Sequence, residues 1–265
     1  MRPFVLSVPS TADTATPLPL VIALHGYGSN GAQLDAAWGF SALGKREGFM
    51  VAIPDGTPDA RGSRFWNASD ACCDFSAAKG GSVDDVAYVG AIVDDVAARR
   101  PLDRQRVFVV GHSNGGFMAH RLACELSGRI AAVVSMAGAA WKDAARCMPT
   151  SPVSVAQVHG TDDPVVAFAG GTVFDIPGHV YPSVSETMSL WKTRLGCTGA
   201  PEVGAARLDL DARIPGSETR VDRYAGCKAG LELWTIDHGS HAPAMTQGWA
   251  EAVWAFFKAH PRPAG

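Results

Sequence analysis

The 265-residue chain reads as an α/β protein, with a mostly parallel central sheet of about eight strands and helices on both faces. Three observations predict this. Short apolar, β-branched runs recur along the chain, helical periodicity fills several intervals between them, and an antiparallel strand pair followed by an amphipathic helix closes the sequence. Strand and helix alternating in this way mark parallel strands joined by crossovers that cover both faces.

Strands are expected at 3–8, 20–24, 49–53, 107–110, 131–136 and 153–158. A helix is expected over 82–99, where Val86, Val89, Ile92, Val93 and Val96 share a face, and others over 115–126 and 184–195. Near the end, 219–224 and 231–236 form the antiparallel pair, joined through 225–230, before the helix 246–259. Asp84 and Asp85 open the first helix, where the dipole favours carboxylates. No repeat or long linker interrupts this pattern, so one domain over 1–265 is expected. The longest irregular stretch, 54–81, carries Trp66, Cys72 and Cys73 among Gly, Asp, Ser and Ala. A loop of that length is expected at a substrate rim.

Composition excludes several classes. With 47% hydrophobic and 18% charged residues the chain can bury a sizeable core, and its net charge of -3 leaves no basic excess for nucleic acid or an anionic membrane. No apolar run reaches the roughly 18 residues that a membrane span needs. The N-terminus lacks the basic-then-apolar pattern of a signal peptide. Six cysteines, at 72, 73, 124, 147, 197 and 227, are an even count more usual in secreted proteins, with a buried free thiol equally expected at Cys124. No Cys/His spacing suits a tetrahedral ion, so no metal is expected.

The strongest local signal is Gly111-His112-Ser113-Asn114-Gly115-Gly116, between the strand 107–110 and the helix 115–126. It is G-x-S-x-G in a strand–turn–helix context, the nucleophile elbow of an α/β-hydrolase. The sharp turn demands nearly side-chain-free neighbours two positions before and after the serine. It raises the Ser113 hydroxyl above the sheet at a helix N-terminus, where backbone N–H groups favour developing negative charge. The strand 20–24 runs into His25-Gly26-Tyr27-Gly28, the turn that supplies the second oxyanion donor in this fold. The donors expected are the N–H groups of Asn114 and Tyr27, with Gly28 the weaker alternative; His25 is expected to be structural.

A serine hydroxyl needs a histidine to take its proton and a carboxylate to orient that histidine. Chain order in this fold is serine, acid, histidine. After the strand 153–158 comes His159-Gly160-Thr161-Asp162-Asp163-Pro164, where Asp163 is the expected acid and Asp162 the alternative. After the strand 231–236, Asp237-His238-Gly239-Ser240-His241 offers two histidines. His241 is expected as the base, because His238 lies too near the strand end to reach back over Ser113. His112, His120, His159, His179 and His260 read most simply as helix, turn or surface residues. Trp66, Gly28 and His112 are candidate substrate contacts, and Trp66, Tyr27, Trp141 and Phe168 candidate pocket walls. No organic cofactor is needed.

These residues resemble those of the secreted polyhydroxybutyrate depolymerase and feruloyl or acetyl-xylan esterase group of α/β-hydrolases. The likeness rests on Leu24-His25-Gly26, Trp66-Asn67 with Cys72-Cys73, Val83-Asp84-Asp85-Val86, and above all the run from Gly111 to Cys124. Arg129-Ile130-Ala131-Ala132, His159-Gly160-Thr161 with Asp163, Trp191, Cys197, Cys227 and His241 extend it. The resemblance implies a serine esterase acting on hydroxyalkanoate oligoesters or on feruloyl or acetyl esters of polysaccharides, with Asp163 as the acid. It further implies a Cys197–Cys227 disulfide and export to the exterior or periplasm, with a cytoplasmic place the alternative and removal of a signal peptide left open. A monomer is expected. The chain departs from the family in carrying Ala242 before Pro243, where an aromatic residue is usual after the histidine. Two rival readings are a serine peptidase or amidase on the same fold and a polymer-binding module without catalysis.

Overall fold

The computed structural model describes residues 2–10, 15–73 and 83–263. Its centre is a nine-stranded sheet, one strand more than the sequence suggests. The strands are β1 (Phe4–Ser7), β2 (Leu18–Leu24), β3 (Met50–Pro54), β4 (Leu102–His112), β5 (Ala132–Met136), β6 (Ser154–Gly160), β7 (Pro201–Leu208), β8 (Thr219–Tyr224) and β9 (Leu231–Ile236). They lie in the order β1-β3-β2-β4-β5-β6-β9-β8-β7. The six from β3 to β9 run parallel, while β1 at one edge and β8 and β7 at the other pair antiparallel.

Among the described residues six α-helices cover the sheet: α1 (Gly31–Trp38), α2 (Phe40–Glu47), α3 (Asp85–Arg99), α4 (Asn114–Glu125), α5 (Val184–Arg194) and α6 (Gln247–Ala259). Successive strand residues point to opposite faces. Leu20, Ile22, Leu24, Val107, Val109, Val133 and Val155 therefore pack against α3, α4 and α5 through Val89, Ile92, Phe117, Leu122, Met188 and Trp191. Val21, Phe108, Val110, Val134 and Val158 pack on the other side against Trp38, Leu43, Trp249, Val253, Trp254 and Phe257 of α1, α2 and α6. Burial on both faces makes these strands read as unbroken apolar runs.

Four elements differ from the sequence reading. Helices α1 and α2 are each only eight residues long and break at Gly39, too short for helical periodicity to show. Strand β7 opens on Pro201, carries Gly204 at positive φ and bulges between Glu202 and Ala206; it is a half-exposed edge strand with no apolar alternation. Helix α3 begins at Asp85, with the Asp84 side chain accepting from the Ala87 N–H, and the expected start at 82 lies outside the described residues.

Candidate active site

In a parallel sheet, loops after the strands emerge at one edge, and ligands of open α/β sheets bind there. The C-terminal ends of β2, β4, β6 and β9 lead directly into Tyr27, Ser113, Asp163 and His241. Hydrogen bonds continue the sheet past its edge: the Ser113 N–H donates to Met136 O at 2.7 Å, Ala137 N–H to Val158 O at 2.9 Å, and Thr161 N–H to Ile236 O at 3.1 Å. The loops thus leave the sheet already in register with one another.

Ser113 sits at φ 53°, ψ -117°, between the last residue of β4 and the first of α4. A Cβ at Gly111 would collide with the Gly115 carbonyl, and one at Gly115 with the Leu24 and His25 carbonyls. Only glycine permits that approach, which brings the elbow against the turn after β2.

His241 Nε2 lies 2.9 Å from Ser113 Oγ, and His241 Nδ1 lies 2.8 Å from Asp163 Oδ2. Asp163 is buried, and its Oδ1 accepts the N–H groups of Val165 and Val166 at 2.8 and 2.9 Å. Burial alone would raise its pKa. Hydrogen bonds from His159 and His241, the charge of His241 and the Val165 N–H outweigh it and hold the carboxyl well below the usual range. The sequence alternatives stand apart: Asp162 and His238 are exposed and face each other at 3.2 Å.

Asn114 and Tyr27, the expected oxyanion donors, flank this serine on α4 and on the turn after β2. The Asn114 side chain grips the Trp66 main chain, accepting its N–H at 2.6 Å and donating to its carbonyl at 2.9 Å. The Tyr27 hydroxyl donates to Asp59 at 2.7 Å. The Gly28 N–H is occupied by Arg64 O at 2.8 Å. His25, structural in the sequence reading, is buried; its Nε2 accepts from Gly56 N–H at 2.9 Å and its Nδ1 faces Gly26 O at 2.8 Å.

Two candidate substrate contacts and one candidate wall need correction. Trp66 is 0% exposed and its indole donates to His25 O at 2.9 Å, so it braces the turn after β2 from beneath instead of facing the site. His112 turns its ring beneath the His241 loop, with Nε2 2.9 Å from His241 O. Trp141 is buried, with the Arg146 guanidinium stacked on its ring at 3.9 Å. Gly28 remains exposed at the rim. Of the long stretch 54–81, the described part folds inward, burying Phe65, Trp66, Ala68, Ala71, Cys72 and Cys73; residues 74–81 lie outside the described residues.

Sequence reasoning missed the contribution of four residues. Arg213, held by Asp211 at 3.1 Å, donates to Ser240 Oγ at 3.0 Å and Ala242 O at 2.9 Å, gripping the His241 loop from outside. The Phe174 ring, 56% exposed, stands 6.5 Å from Tyr27. His120 lies on helix α4, as one of the readings had it, but it and His159, which sits on strand β6, are buried in the interior. No periodicity marks any of these. All six cysteines are paired, as Cys72–Cys73, Cys124–Cys147 and Cys197–Cys227, so Cys124 is no free thiol.

A strained serine on a strand–helix elbow, at the edge of a mostly parallel sheet, defines an α/β-hydrolase. Comparison with known proteins narrows this further. The chain belongs to the family described as esterase PHB depolymerase, whose model matches residues 3–187. It is 27% identical over 266 residues to feruloyl esterase B of Piromyces equi, covering 97% of this chain and 45% of that protein. To feruloyl esterase C of Emericella nidulans it is 23% identical over 271 residues, covering 97% and 84%. Acetyl xylan esterase from Aspergillus awamori superposes with a TM-score of 0.67 at 16% identity, covering 96% of this chain and 93% of that one, a likeness of fold. The chain thus spans less than half of one feruloyl esterase and most of another.

Proposed function

We propose that this chain is a serine carboxylic-ester hydrolase working through an acyl-enzyme. The observation that carries the reading is the unbroken row Ser113 Oγ, His241, Asp163 Oδ2, with links of 2.9 and 2.8 Å. Ser113 attacks the ester carbonyl as His241 Nε2 takes its proton, and Asp163 keeps the imidazole in the tautomer that leaves Nε2 free to accept. The N–H groups of Asn114 and Tyr27 receive the oxyanion; His241 then protonates the departing alcohol. Water, deprotonated by the same imidazole, releases the acid.

The substrate class proposed is a feruloyl or acetyl ester of plant polysaccharide or a hydroxyalkanoate oligoester. The exposed Phe174 ring beside Tyr27 favours an aryl acyl group, since a flat apolar face next to the oxyanion turn gives such a group a stacking surface. Three disulfides support a place of action outside the reducing cytosol.

The test is a panel of methyl ferulate, 3-hydroxybutyrate oligomers, acetylated xylan and p-nitrophenyl acetate, compared by kcat/KM in the parent chain and in Ser113→Ala. Turnover and fluorophosphonate labelling are expected in the parent and absent in the variant. Retained turnover in Ser113→Ala would end the assignment.

A further inference from the structure

Behind Asp163, four buried polar side chains form one connected row. The Trp191 indole N–H on α5 donates to His120 Nδ1 on α4 at 3.0 Å, and His120 Nε2 lies 2.8 Å from Gln157 Oε1 on β6. Gln157 Nε2 lies 2.9 Å from Gly138 O and 3.0 Å from His159 Nδ1. His159 Nε2 in turn faces Val166 O at 2.7 Å and Asp163 Oδ2 at 3.4 Å. Trp191, His120, Gln157 and His159 are each at most 1% exposed, so water offers them no substitute partner.

The position of every proton follows from two fixed ends. An indole only donates, so His120 presents its Nδ1 lone pair to Trp191 and carries its proton on Nε2, toward the Gln157 oxygen. A carbonyl only accepts, so the Gln157 nitrogen faces Gly138, and its second hydrogen goes to His159 Nδ1. His159 therefore carries its proton on Nε2, toward Val166 O and Asp163. Both ends demand the same amide orientation. Reversing it would set two acceptors together at the Gly138 carbonyl and two donors together at His120. Burial lowers the His120 pKa to about 4, which keeps that ring neutral and the row in a single proton arrangement.

We infer that this row is a positioning device for Asp163, in which Trp191, His120 and Gln157 lock the tautomer of His159 so that its Nε2–H steadies the carboxylate facing His241. The inference rests on the reading of Asp163 as the acid of a hydrolytic triad. Asp163 Oδ1 is already saturated by two backbone N–H groups, so the Oδ2 atom that serves His241 is the one His159 shares. The Nε2–H, bonded to Val166 O at 2.7 Å and 3.4 Å from Oδ2, holds the turn that carries the carboxylate and gives Oδ2 a second polar neighbour beside His241. Removing it concentrates negative charge on the side of His241 and stabilises the protonated imidazole, which moves the acid limb of kcat/KM to higher pH. The other groups around His241 stay in place: Ser113 and His112 from the elbow, Asp162 and His238 at the surface, and Arg213 with Asp211 outside the loop.

The experiment compares His159→Leu with His159→Gln, whose amide nitrogen falls near the position of Nε2. In His159→Leu, kcat is expected to fall about tenfold with KM little changed, since a misplaced triad member is felt mainly in the reaction step. The acid limb should rise by about half a unit. His159→Gln should recover most of kcat and the original limb. Equal impairment of both variants, or an unmoved limb in His159→Leu, would overturn the inference. Should the variants not fold, histidine 15N NMR of the parent protein near neutral pH decides, because His120 and His159 must both appear as Nε2–H tautomers. An Nδ1–H tautomer at either position refutes the row. Correct tautomers in a protein that turns over no ester would overturn the hydrolase reading alone, whereas wrong tautomers in an active esterase would overturn the row alone.

Discussion

The imidazole of His112 donates its Nε2–H to the main-chain carbonyl of His241 across 2.9 Å, so the residue preceding Ser113 holds the histidine that faces the Ser113 hydroxyl. Burial, aided by the nearby His241, lowers the His112 pKa to about 4. The ring is therefore neutral, and its Nε2 proton has this carbonyl as its partner. Replacing His112 with Phe keeps an aromatic ring against Trp38 but removes the tether. kcat should fall about tenfold with a smaller change in KM, because loosened alignment is felt most in the reaction step. Steady-state kinetics on p-nitrophenyl acetate measures this, and an unchanged kcat would show that the tether is idle.

Arg213 holds the same loop from the other side, through Ser240 Oγ and Ala242 O. Arg213→Gln should lower kcat about threefold to tenfold and speed hydrogen exchange in residues 238–244, whereas Arg213→Lys, with one point charge in place of a fork, should be intermediate. Exchange rates indistinguishable from the parent would argue against the clamp.

Acid should weaken the fold in two stages of identical sign. His112 and His120 have folded pKa values near 4 against an ordinary 6.5, both mainly through burial. Between those values the unfolded chain binds protons that the native one refuses. The contribution of each ring is fully present above about pH 6.5 and lost as pH falls toward 4, on the order of 3 kcal/mol per ring. Asp163, held below its ordinary 3.8, adds stability that is present above that value and lost only below it. Urea midpoints at pH 7, 5 and 4 should fall monotonically, and the first drop should shrink in His120→Gln.

The Cys197–Cys227 bridge closes a loop with a sequence separation of 30, joining the end of α5 to the turn between β8 and β9. Replacing both cysteines with Ser should cost roughly 3–4 kcal/mol through the freed unfolded chain. Activity near room temperature should persist, since the bridge lies at the sheet edge away from Ser113. Urea denaturation of the double variant beside the parent gives the number.

Trp66→Phe should be destabilising by about 1–3 kcal/mol, because it leaves the buried His25 carbonyl without its donor. If the Tyr27 N–H receives the oxyanion as proposed, the substitution should also loosen the turn after β2, seen as a drop in kcat rather than a rise in KM alone. A stable, fully active Trp66→Phe would mean that this indole only fills space.

Much of this was legible in the sequence, and the reasons are local. The elbow from Gly111 to Gly115 could be read because a strained turn between strand and helix tolerates few residues. Strands β2, β4, β5 and β6 could be read because burial on both faces leaves continuous apolar runs. Helices α1 and α2 and strand β7 were not legible, since short elements whose form comes from neighbours leave no period. Trp66 misled for a related reason: an aromatic in a long polar stretch looks like a rim residue, and only its packing under His25 reveals a brace.

By itself, then, the sequence determined the alternation of elements, the strained serine between glycines, and the loops on which an acid and a base had to lie. Only tertiary structure decided which of two aspartates and two histidines meet the serine, and that His112, His159 and Arg213 hold them. The physical reason is range. Backbone strain and apolar periodicity act over a few neighbouring residues and leave their mark in the order of amino acids. A hydrogen bond such as that from His112 to His241 joins positions 129 residues apart and exists only once the sheet has brought its strand ends to one edge.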